Sequence, residues 1–344
     1  MLDDLKYIHE RDAQDALGVA EKQWQQFQYA YNFSWQPPQT IDNVIIAGMG
    51  GSGLAAKVFK NWPGILVPYE VIQGYDLPKY VSSHTLLVCV SYSGNTEETL
   101  SVLNHALNAE SRPILIAIAS GGKLADIAKA EKLPFIQLPG GYQPRMTFGY
   151  QIKALIELFE QTPLLKGASE KLIKASEWLK PQIALWRPDV ATKDNQAKQI
   201  ALELIGKSIV VYGGPLLFPA AYKWKISFNE NGKHIAWTNQ YPEFNHNEFI
   251  GWTKQPVDKP YAVIDLRSKL ENPEVQKRFE VSERLLSGLR PSPIIVQAVG
   301  ETLVDQFVWT IALGDFVSLY VALLNNINPT PVDLIEKFKL ALTE

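Results

Sequence analysis

The stretch Val44-Ile45-Ile46-Ala47-Gly48-Met49-Gly50-Gly51-Ser52-Gly53 decides the fold, because an apolar β-type run ends in a glycine-rich loop and a helical pattern follows. Backbone N–H groups and the helix dipole favour an anion at such a strand-to-helix turn. The loop also fits the dinucleotide fingerprint G-x-G-x-x-G, with Glu70 near the position of a ribose-binding acid. The first loop alone therefore leaves two ligands open, a dinucleotide and a simple phosphate.

A second loop, Ser91-Tyr92-Ser93-Gly94-Asn95-Thr96, follows the apolar run at 86–90 and also leads into a helical pattern. Its hydroxyl and amide side chains suit a compact terminal phosphate, whereas a pyrophosphate bridge does not require them. Capping of the next helix by Asn95 or Thr96 would explain Thr96, but not Ser91 and Ser93 as well. The two loops together predict a phosphate cradle, whose expected ligands are Gly50, Gly51, Ser52, Ser91, Ser93 and Thr96.

Strand-like and helical patterns alternate along the first half of the chain, which is typical of a doubly wound parallel sheet. The strand-like runs are 44–47, 67–72, 86–90, 114–118 and 134–138. A second series resembles a diverged copy, with runs at 208–212, 261–266 and 293–298, a Gly-Gly turn at 213–214 and a helix from about residue 218. Only the first series carries a serine-rich loop, so one phosphate site per chain is predicted.

The predicted fold class is α/β, with two doubly wound domains, each a parallel sheet flanked by helices. An N-terminal helix is expected from about residue 3 to 31, and a C-terminal helix over 331–342 is expected to pack back against the phosphate loops. The predicted bounds are 1–155 for the N-terminal domain, 156–190 for a helical connection and 191–344 for the C-terminal domain. The stretch 254–282 has no role that the sequence defines.

Composition limits the partners and the compartment. A formal charge of −3 and the absence of basic runs argue against nucleic acid as a partner. The single cysteine, Cys89, lies inside an apolar run and is expected to be a buried, inert thiol in a reducing, cytoplasmic compartment. The acidic start of the chain is unlike a signal peptide, and the apolar run 307–324, which contains Asp315, is expected to be a buried helix rather than a membrane span.

Beyond the two loops, further motifs occur in a familiar order. The loops resemble those of the sugar isomerase (SIS) domain, and the later motifs follow the order found in bifunctional phosphoglucose/phosphomannose isomerases. These motifs are 139–145, 229–233, 245–248 and 328–337. The resemblance covers the chain from about residue 40 onward. It implies a homodimer with an active site shared between subunits, which interconverts glucose 6-phosphate and mannose 6-phosphate with fructose 6-phosphate through an enediolate. It also implies that no metal and no other cofactor is needed.

The resemblance also implies roles for five residues. Glu230 is the expected base, and Arg145 is the cation that stabilises the enediolate. His246, contributed by the neighbouring subunit, and Lys337 are the expected ring-opening groups. Thr330 is the small residue that accompanies activity on both glucose and mannose phosphates.

Three alternatives remain at this point. An NAD-dependent oxidoreductase would use the G-x-G-x-x-G match and Glu70, but it leaves the second loop unexplained. A non-catalytic sugar-phosphate regulator would keep the loops without needing the other motifs. An isomerase of a different sugar, such as arabinose phosphate, would keep the chemistry and change the substrate.

Overall fold

The computed structural model describes residues 1–254 and 260–342, which form two compact units. One unit comprises residues 22–178, and the other combines residues 1–21 with 179–344. We call them the first and the second unit. The sequence-based bounds differ from this division, since they assign residues 1–21 to the N-terminal domain.

Each unit contains one parallel sheet. In the described part of the chain the strands are β1 (Asn43–Ala47), β2 (Tyr69–Ile72), β3 (Thr85–Val90), β4 (Ile114–Ala119), β5 (Phe135–Gln137), β6 (Ser208–Gly213), β7 (Ala236–Gln240), β8 (Tyr261–Arg267) and β9 (Ile294–Gln297). The first sheet has the order β2-β1-β3-β4-β5, and the second has the order β7-β6-β8-β9. All neighbouring strands are parallel, so the predicted α/β class is confirmed.

Helices connect the strands and cover the sheets. Those with α geometry in the described residues are α1 (Leu5–Arg11), α2 (Ala16–Glu21), α3 (Gln23–Gln26), α4 (Gly50–Asn61), α5 (Glu97–Leu107), α6 (Gly122–Ala130), α7 (Phe148–Glu160), α8 (Ala168–Ala184), α9 (Gln196–Leu204), α10 (Phe218–Glu230), α11 (Glu248–Gly251), α12 (Pro273–Leu285), α13 (Leu303–Leu324) and α14 (Asp333–Ala341). Short 3₁₀-helices cover Pro144–Met146, Thr192–Asp194, Glu243–His246 and Trp252–Lys254.

The central strands of the first sheet are buried on both faces, as expected for a parallel sheet covered by helices. Every residue of β3 and β4 is buried. Cys89 of β3 belongs to this core, and burial raises the pKa of its thiol to about 12. The prediction that this thiol is buried is therefore confirmed.

The N-terminal segment is not the single helix that the sequence suggested. The backbone leaves helical geometry after Arg11, and Asp15 has a positive φ of 54°. The carboxylate of Asp12 accepts the N–H groups of Ala16 and Leu17 at 2.8 and 2.9 Å, which caps α2. A short acidic side chain that can bond its own backbone ends one helix and starts the next.

A buried lysine ties the start of the chain to the second unit. The Lys198 ammonium is fully buried and donates to the Asp3 carboxylate at 3.0 Å. It also donates to the carbonyl oxygens of Pro188 and Val190, at 2.8 and 2.7 Å. Three acceptors satisfy the three donors of a buried ammonium, so this contact explains why residues 1–21 belong with the second unit.

Strand β7 was missed from the sequence, because its residues Ala236-Trp237-Thr238-Asn239-Gln240 form a mostly polar edge strand without an apolar run. Strand β8 lies inside the sheet and α12 follows it, so most of the stretch 254–282 is part of the second unit's framework. Residues 255–259 of that stretch lie outside the described residues.

The C-terminal helix is present as α14. Every residue of α14 is exposed, with Leu334 80% and Phe338 63% exposed. Because α14 and the phosphate loops belong to different units, the packing of this helix against the loops stays a prediction.

Helix α13 is the buried core helix of the second unit, as predicted for residues 307–324. It begins at a capping box formed by Thr302 and Asp305. Within the described residues it is the one helix long and apolar enough to cross a membrane, yet 94% of its apolar window is buried inside the protein.

A buried ion pair joins α13 to α10. The Lys223 ammonium pairs with the Asp315 carboxylate, and these side chains are 1% and 8% exposed. The Ser227 hydroxyl accepts from Lys223 at 2.6 Å and donates to Asp315 at 2.8 Å. The pair therefore fixes how α10, which ends at Glu230, packs on the core helix.

We expect Asp315→Asn to lower the free energy of unfolding by about 3–5 kcal/mol, because it leaves a buried ammonium without a counter-charge. Asp189→Asn is the matched control, since it neutralises the partner of the exposed Arg187, which also lies 3.5 Å from Glu21. Urea unfolding followed by circular dichroism measures both changes. Equal effects of the two substitutions would contradict a special role for the buried pair.

Candidate functional site

The two predicted phosphate loops lie side by side. Strands β1 and β3 are neighbours, and Ala47 pairs with Cys89 near their carboxyl ends. The order β2-β1-β3 reverses direction at this point, and ligands of open α/β sheets bind outside the carboxyl ends of the strands at such a switch point. Both loops start here.

The first loop brings its backbone to the start of α4. The helix begins at Gly50, whose φ is 49°, a conformation that favours glycine. A Cβ atom on Gly53 would lie 2.4 Å from the carbonyl oxygen of Gly48, so the loop also closes tightly on itself. The N–H groups of a first helical turn lack partners within the helix, and here they belong to Gly50, Gly51 and Ser52.

The second loop is organised by its own hydroxyl groups. The Oγ of Ser91 lies 2.8 Å from Oγ1 of Thr96, and it accepts the N–H of Gly94 at 3.1 Å. Thr96 holds the N-cap position of α5 without a side-chain capping bond, so its hydroxyl is directed to Ser91 instead. Asn95 accepts the N–H of Lys123 at 3.0 Å, at the start of α6, and Ser93 is exposed. The structure therefore confirms that Ser91 and Thr96 lie together.

A hydrogen bond joins the two loops. The buried Ser52 accepts the N–H of Tyr92 at its Oγ, over 3.1 Å. The predicted ligands of the first and second loops thus belong to one continuous cradle.

Arg145 lies against this cradle. It is only 2% exposed and sits in the 3₁₀-helix Pro144–Met146, where its Nη1 donates to the side-chain oxygen of Gln143 at 3.3 Å. A Cβ atom on Gly51 would lie 3.0 Å from the carbonyl oxygen of Pro144 and 3.4 Å from the Cα of Arg145. Glycine at position 51 therefore permits the arginine segment to approach the first loop.

The acid that supports the dinucleotide alternative is engaged elsewhere. The Glu70 carboxylate accepts a hydrogen bond from the Tyr80 hydroxyl. This hydrogen bond is a structural role for Glu70 within the first unit, so the presence of Glu70 does not by itself indicate a ribose site.

In the second unit, Glu230 is the last residue of α10 and is half-buried. The Lys233 ammonium donates to the carbonyl oxygens of Glu230 and Pro329, at 2.9 and 2.8 Å. Thr330 follows directly, and its N–H donates to the Asn328 side chain at 3.0 Å. One lysine therefore links the end of α10, which carries the predicted base, to the residue that precedes the predicted selectivity residue.

Sequence reasoning missed Lys233. Its signal was its position directly after Gly232 at the end of a helix, where the chain turns with a φ of 46° at Lys233. A lysine near a helix C-terminus commonly binds the last carbonyl groups, so this contact could have been anticipated.

His246 and Lys337 are both exposed on this chain. His246 ends the 3₁₀-helix Glu243–His246, and Lys337 lies on α14. The structure of the single chain therefore places these two residues on its surface.

The Glu271 side chain fills the space at the Gly-Gly turn of the second unit. The Glu271 carboxylate accepts the N–H of Leu216 at 2.9 Å, and a Cβ atom on Gly214 would lie 2.4 Å from the same carboxylate oxygen. Glu271 is 7% exposed. An internal anion thus occupies the turn that corresponds to the first phosphate loop.

No group of three or more His, Cys, Asp or Glu side chains that could hold a metal ion occurs within residues 1–254 and 260–342.

Comparisons with known proteins agree with this geometry. Residues 193–342 match the model of the bacterial phospho-glucose isomerase C-terminal SIS domain. The bifunctional phosphoglucose/phosphomannose isomerase of Caldicellulosiruptor bescii is 32% identical over 311 residues, which cover 89% of this chain and 91% of that protein. The D-glucosamine-6-phosphate 4-epimerase of Sulfolobus acidocaldarius is 33% identical over 233 residues, which cover 68% of this chain and 71% of that protein.

The fold is also similar to that of solved structures. A glucose-6-phosphate isomerase like protein from Thermus thermophilus superposes with a TM-score of 0.65 at 18% identity, covering 98% of both chains. The two SIS-type parallel sheets are thereby confirmed as the architecture. With its length matched almost completely by a relative of known family, the chain belongs to the bifunctional phosphoglucose/phosphomannose isomerases.

Proposed function

We propose that the chain is an aldose–ketose isomerase that interconverts glucose 6-phosphate and mannose 6-phosphate with fructose 6-phosphate. The observation that carries this proposal is the buried Arg145, whose segment packs against the first of two joined phosphate loops, in a member of this family. A nicotinamide enzyme would have no need of the second loop, and a simple regulator would have no need of a buried cation beside the phosphate.

The phosphate loops bind the 6-phosphate group. The first-turn N–H groups of α4, including those of Gly50 and Gly51, point to the carboxyl edge of the sheet, where the helix dipole favours an anion. The hydroxyls of Ser52 and Ser93 donate to phosphate oxygens. In the hydrogen-bonded pair Ser91 and Thr96, the hydroxyl that accepts from the other donates its own hydrogen to the phosphate. This contact is the same for all hexose 6-phosphates, so it holds the substrate without selecting the sugar.

Glu230 and Arg145 carry out the proton transfer. In the open-chain aldose, the Glu230 carboxylate removes the proton from C2, and the electron pair of the broken C–H bond forms the enediolate. The same carboxyl group returns the proton to C1, and the hydroxyl proton of O2 passes to O1, which leaves the carbonyl group at C2 and gives the ketose. A positioned base contributes about 10²–10⁴-fold to the rate. The Arg145 guanidinium stabilises the negative charge of the enediolate, because it is fixed and shielded from water.

Ring opening belongs to His246 and Lys337. A neutral imidazole can pass a proton between the ring oxygen and the hydroxyl at C1 near neutral pH. Both residues are exposed on the single chain, which fits a homodimer in which they face the partner subunit. The exposed apolar side chains of α14, beside Lys337, support the same arrangement. A site shared between subunits follows from this proposal.

Thr330 sets the range of substrates. The enediolate is planar at C2, so either epimer can form if the C2–C3 bond can rotate before the proton returns. A small side chain at position 330 leaves space for this rotation. Lys233 donates hydrogen bonds to the carbonyl oxygens of Glu230 and of Pro329, the residue before Thr330. These bonds support a fixed position of Thr330 near the end of α10.

We propose a cytoplasmic location, which the lone buried thiol of Cys89 supports, and a reaction without metal or other cofactor. The only ligand that the proposal requires is the hexose 6-phosphate itself.

A substrate panel tests the function directly. We expect purified protein to convert both glucose 6-phosphate and mannose 6-phosphate to fructose 6-phosphate in the presence of EDTA. A calorimetric titration of the protein with NAD should give no more heat than a titration of NAD into buffer. Arabinose 5-phosphate and D-glucosamine 6-phosphate belong in the same panel, with products identified by NMR. A 4-epimer formed from glucosamine 6-phosphate, without ketose formation from glucose 6-phosphate, would favour the second candidate, the reaction named for the Sulfolobus relative.

Subunit mixing tests the shared site. Glu230→Gln and His246→Ala are each expected to reduce turnover at least about 10²-fold, because each removes an acid–base group. If each site takes Glu230 from one subunit and His246 from the other, a mixed dimer of the two variants contains one intact site. Equal mixing after subunit exchange should therefore restore roughly one quarter of wild-type activity by random pairing.

The control for this experiment is His234→Ala, which changes the neighbouring histidine that bonds the Lys207 carbonyl, and it should stay active. Size-exclusion chromatography confirms that each variant still dimerises. Mixed dimers that remain as inactive as the separate variants would show that both groups act within one chain.

Substrate selectivity tests Thr330. We expect Thr330→Gln to reduce kcat/KM for mannose 6-phosphate at least about tenfold more than for glucose 6-phosphate, since a tenfold difference corresponds to about 1.4 kcal/mol of blocked rotation in the transition state. Thr330→Ser keeps the small size and should retain both activities. Equal loss on the two substrates with Thr330→Gln would refute the steric explanation.

A further inference from the structure

Tyr92 lies at the centre of the phosphate cradle, yet neither the motifs nor the proposed reaction gives it a role. It is 5% exposed and stands between Ser91 and Ser93 in the second loop. Its N–H donates to Ser52 of the first loop at 3.1 Å. Its carbonyl oxygen accepts both the N–H and the hydroxyl of Ser120, at 2.9 and 2.6 Å, at the end of β4. The main chain of Tyr92 therefore connects three strand ends.

The side chain of Tyr92 reaches a fourth segment, the one that carries Arg145. Its hydroxyl donates to the carbonyl oxygen of Pro139 at 2.8 Å and accepts the N–H of Tyr142 at 3.1 Å. One phenol group thus binds both a donor and an acceptor of the backbone between residues 139 and 142. These residues lead directly into the 3₁₀-helix Pro144–Met146.

The state of the phenol suits this contact. Burial raises the pKa of Tyr92 from its ordinary value, so the hydroxyl stays protonated at neutral pH and can donate to Pro139. Gly140 and Gly141, which lie between the two bonded positions, have open space around them. Within the described residues, no atoms pack closely against the Cβ positions of these two glycines. The hydroxyl of Tyr92 therefore restrains a glycine-rich turn that has little packing of its own at these positions.

We propose that Tyr92 is a positioning residue, which fixes Arg145 relative to the bound phosphate by joining both phosphate loops to the 139–142 segment. The loops hold the phosphate end of the substrate, and the hydrogen bonds of Tyr92 keep Arg145 at a fixed distance from these loops. The guanidinium is thereby held where the enediolate forms. This inference rests on the proposed isomerase reaction for its effect on rate, but its structural part stands on the hydrogen bonds alone.

The test is Tyr92→Phe, which removes one oxygen atom and leaves the ring in place. We expect kcat for glucose 6-phosphate to fall about 10–100-fold, because a misplacement of about 1 Å at a charged group can cost about 10²-fold in rate. Ser52, Ser91, Ser93 and Thr96 remain, so the Kd of inorganic phosphate, measured by calorimetry, should change less than about threefold. Loss of kcat with phosphate binding retained is the expected signature.

Tyr69→Phe is the matched control. Tyr69 belongs to the same unit, and its hydroxyl donates to the carbonyl oxygen of Ala56 at 2.7 Å, away from the arginine segment. Tyr69→Phe loses one hydrogen bond from a tyrosine hydroxyl to the main chain, whereas Tyr92→Phe loses two. Only Tyr92→Phe should lower kcat, whatever thermal destabilisation the two variants share.

Amide hydrogen exchange measures the structural part without any substrate. Residues 139–146 should exchange faster in Tyr92→Phe than in wild type or Tyr69→Phe. Unchanged exchange together with an unchanged kcat would overturn the proposal, and so would a phosphate Kd that rises as much as kcat falls. If the wild-type protein does not isomerise hexose phosphates, the proposed function fails, whereas the exchange result still decides whether Tyr92 holds the arginine segment.

Discussion

The parallel pairing of β1 with β3 is the constraint on which the phosphate cradle depends. Five residue pairs, from Asn43 with Thr85 to Ala47 with Cys89, set the register of these strands. Both strands end at the same edge, so the two loops meet and Ser52 can accept the N–H of Tyr92. A shift of one residue would move one loop by about 3.3 Å along the strand and break this contact. The buried apolar residues of both strands hold the register, so core packing indirectly fixes the binding groups.

The four strands of the second sheet follow the same order as the first four strands of the first sheet, but the turn after β6 has a different occupant. After β6 the chain turns through Gly213 and Gly214 into α10, as the first unit turns from β1 into α4. Here the carboxylate of Glu271 accepts the backbone N–H of Leu216, so a carboxylate already occupies the turn that precedes the helix. The opposite end of α10 carries Glu230 instead. In the proposed reaction, the first unit therefore uses a helix N-terminus to bind the phosphate, and the second unit uses a carboxylate at a helix C-terminus as the base.

The sequence predicted the features that depend on local pattern, and it missed those that depend on distant contacts. Apolar runs located β1, β3, β4, β6 and β8 within about one residue, and the length and composition of α13 predicted its burial. The edge strand β7 has no such run. Its extended conformation depends on pairing with β6, which the local sequence does not reveal. The roles of Lys233 and Glu271 also escaped prediction, because each acts through backbone atoms of another segment. Serine- and glycine-rich loops can be recognised because their residue types are rarely found together. The position of Lys233 after a helix end predicts a bond to the last carbonyl groups of that helix but not to Pro329, and a single glutamate such as Glu271 carries no comparable signal.

The exposure of α14 bears on the proposed dimer and on the proposed role of Lys337. Leu334 and Phe338 are one turn apart on the same face, and Lys337 lies beside them on the helix surface. A cation on a solvated helix is screened by water and interacts weakly with a sugar oxygen. Burying the apolar face against a second subunit would remove water from Lys337 at the same time, which strengthens its interaction with the substrate. The same reasoning applies to His246, which is exposed on the single chain. In this proposal the groups that open the sugar ring become effective only when the dimer forms, whereas the phosphate cradle and Arg145 are complete within one chain.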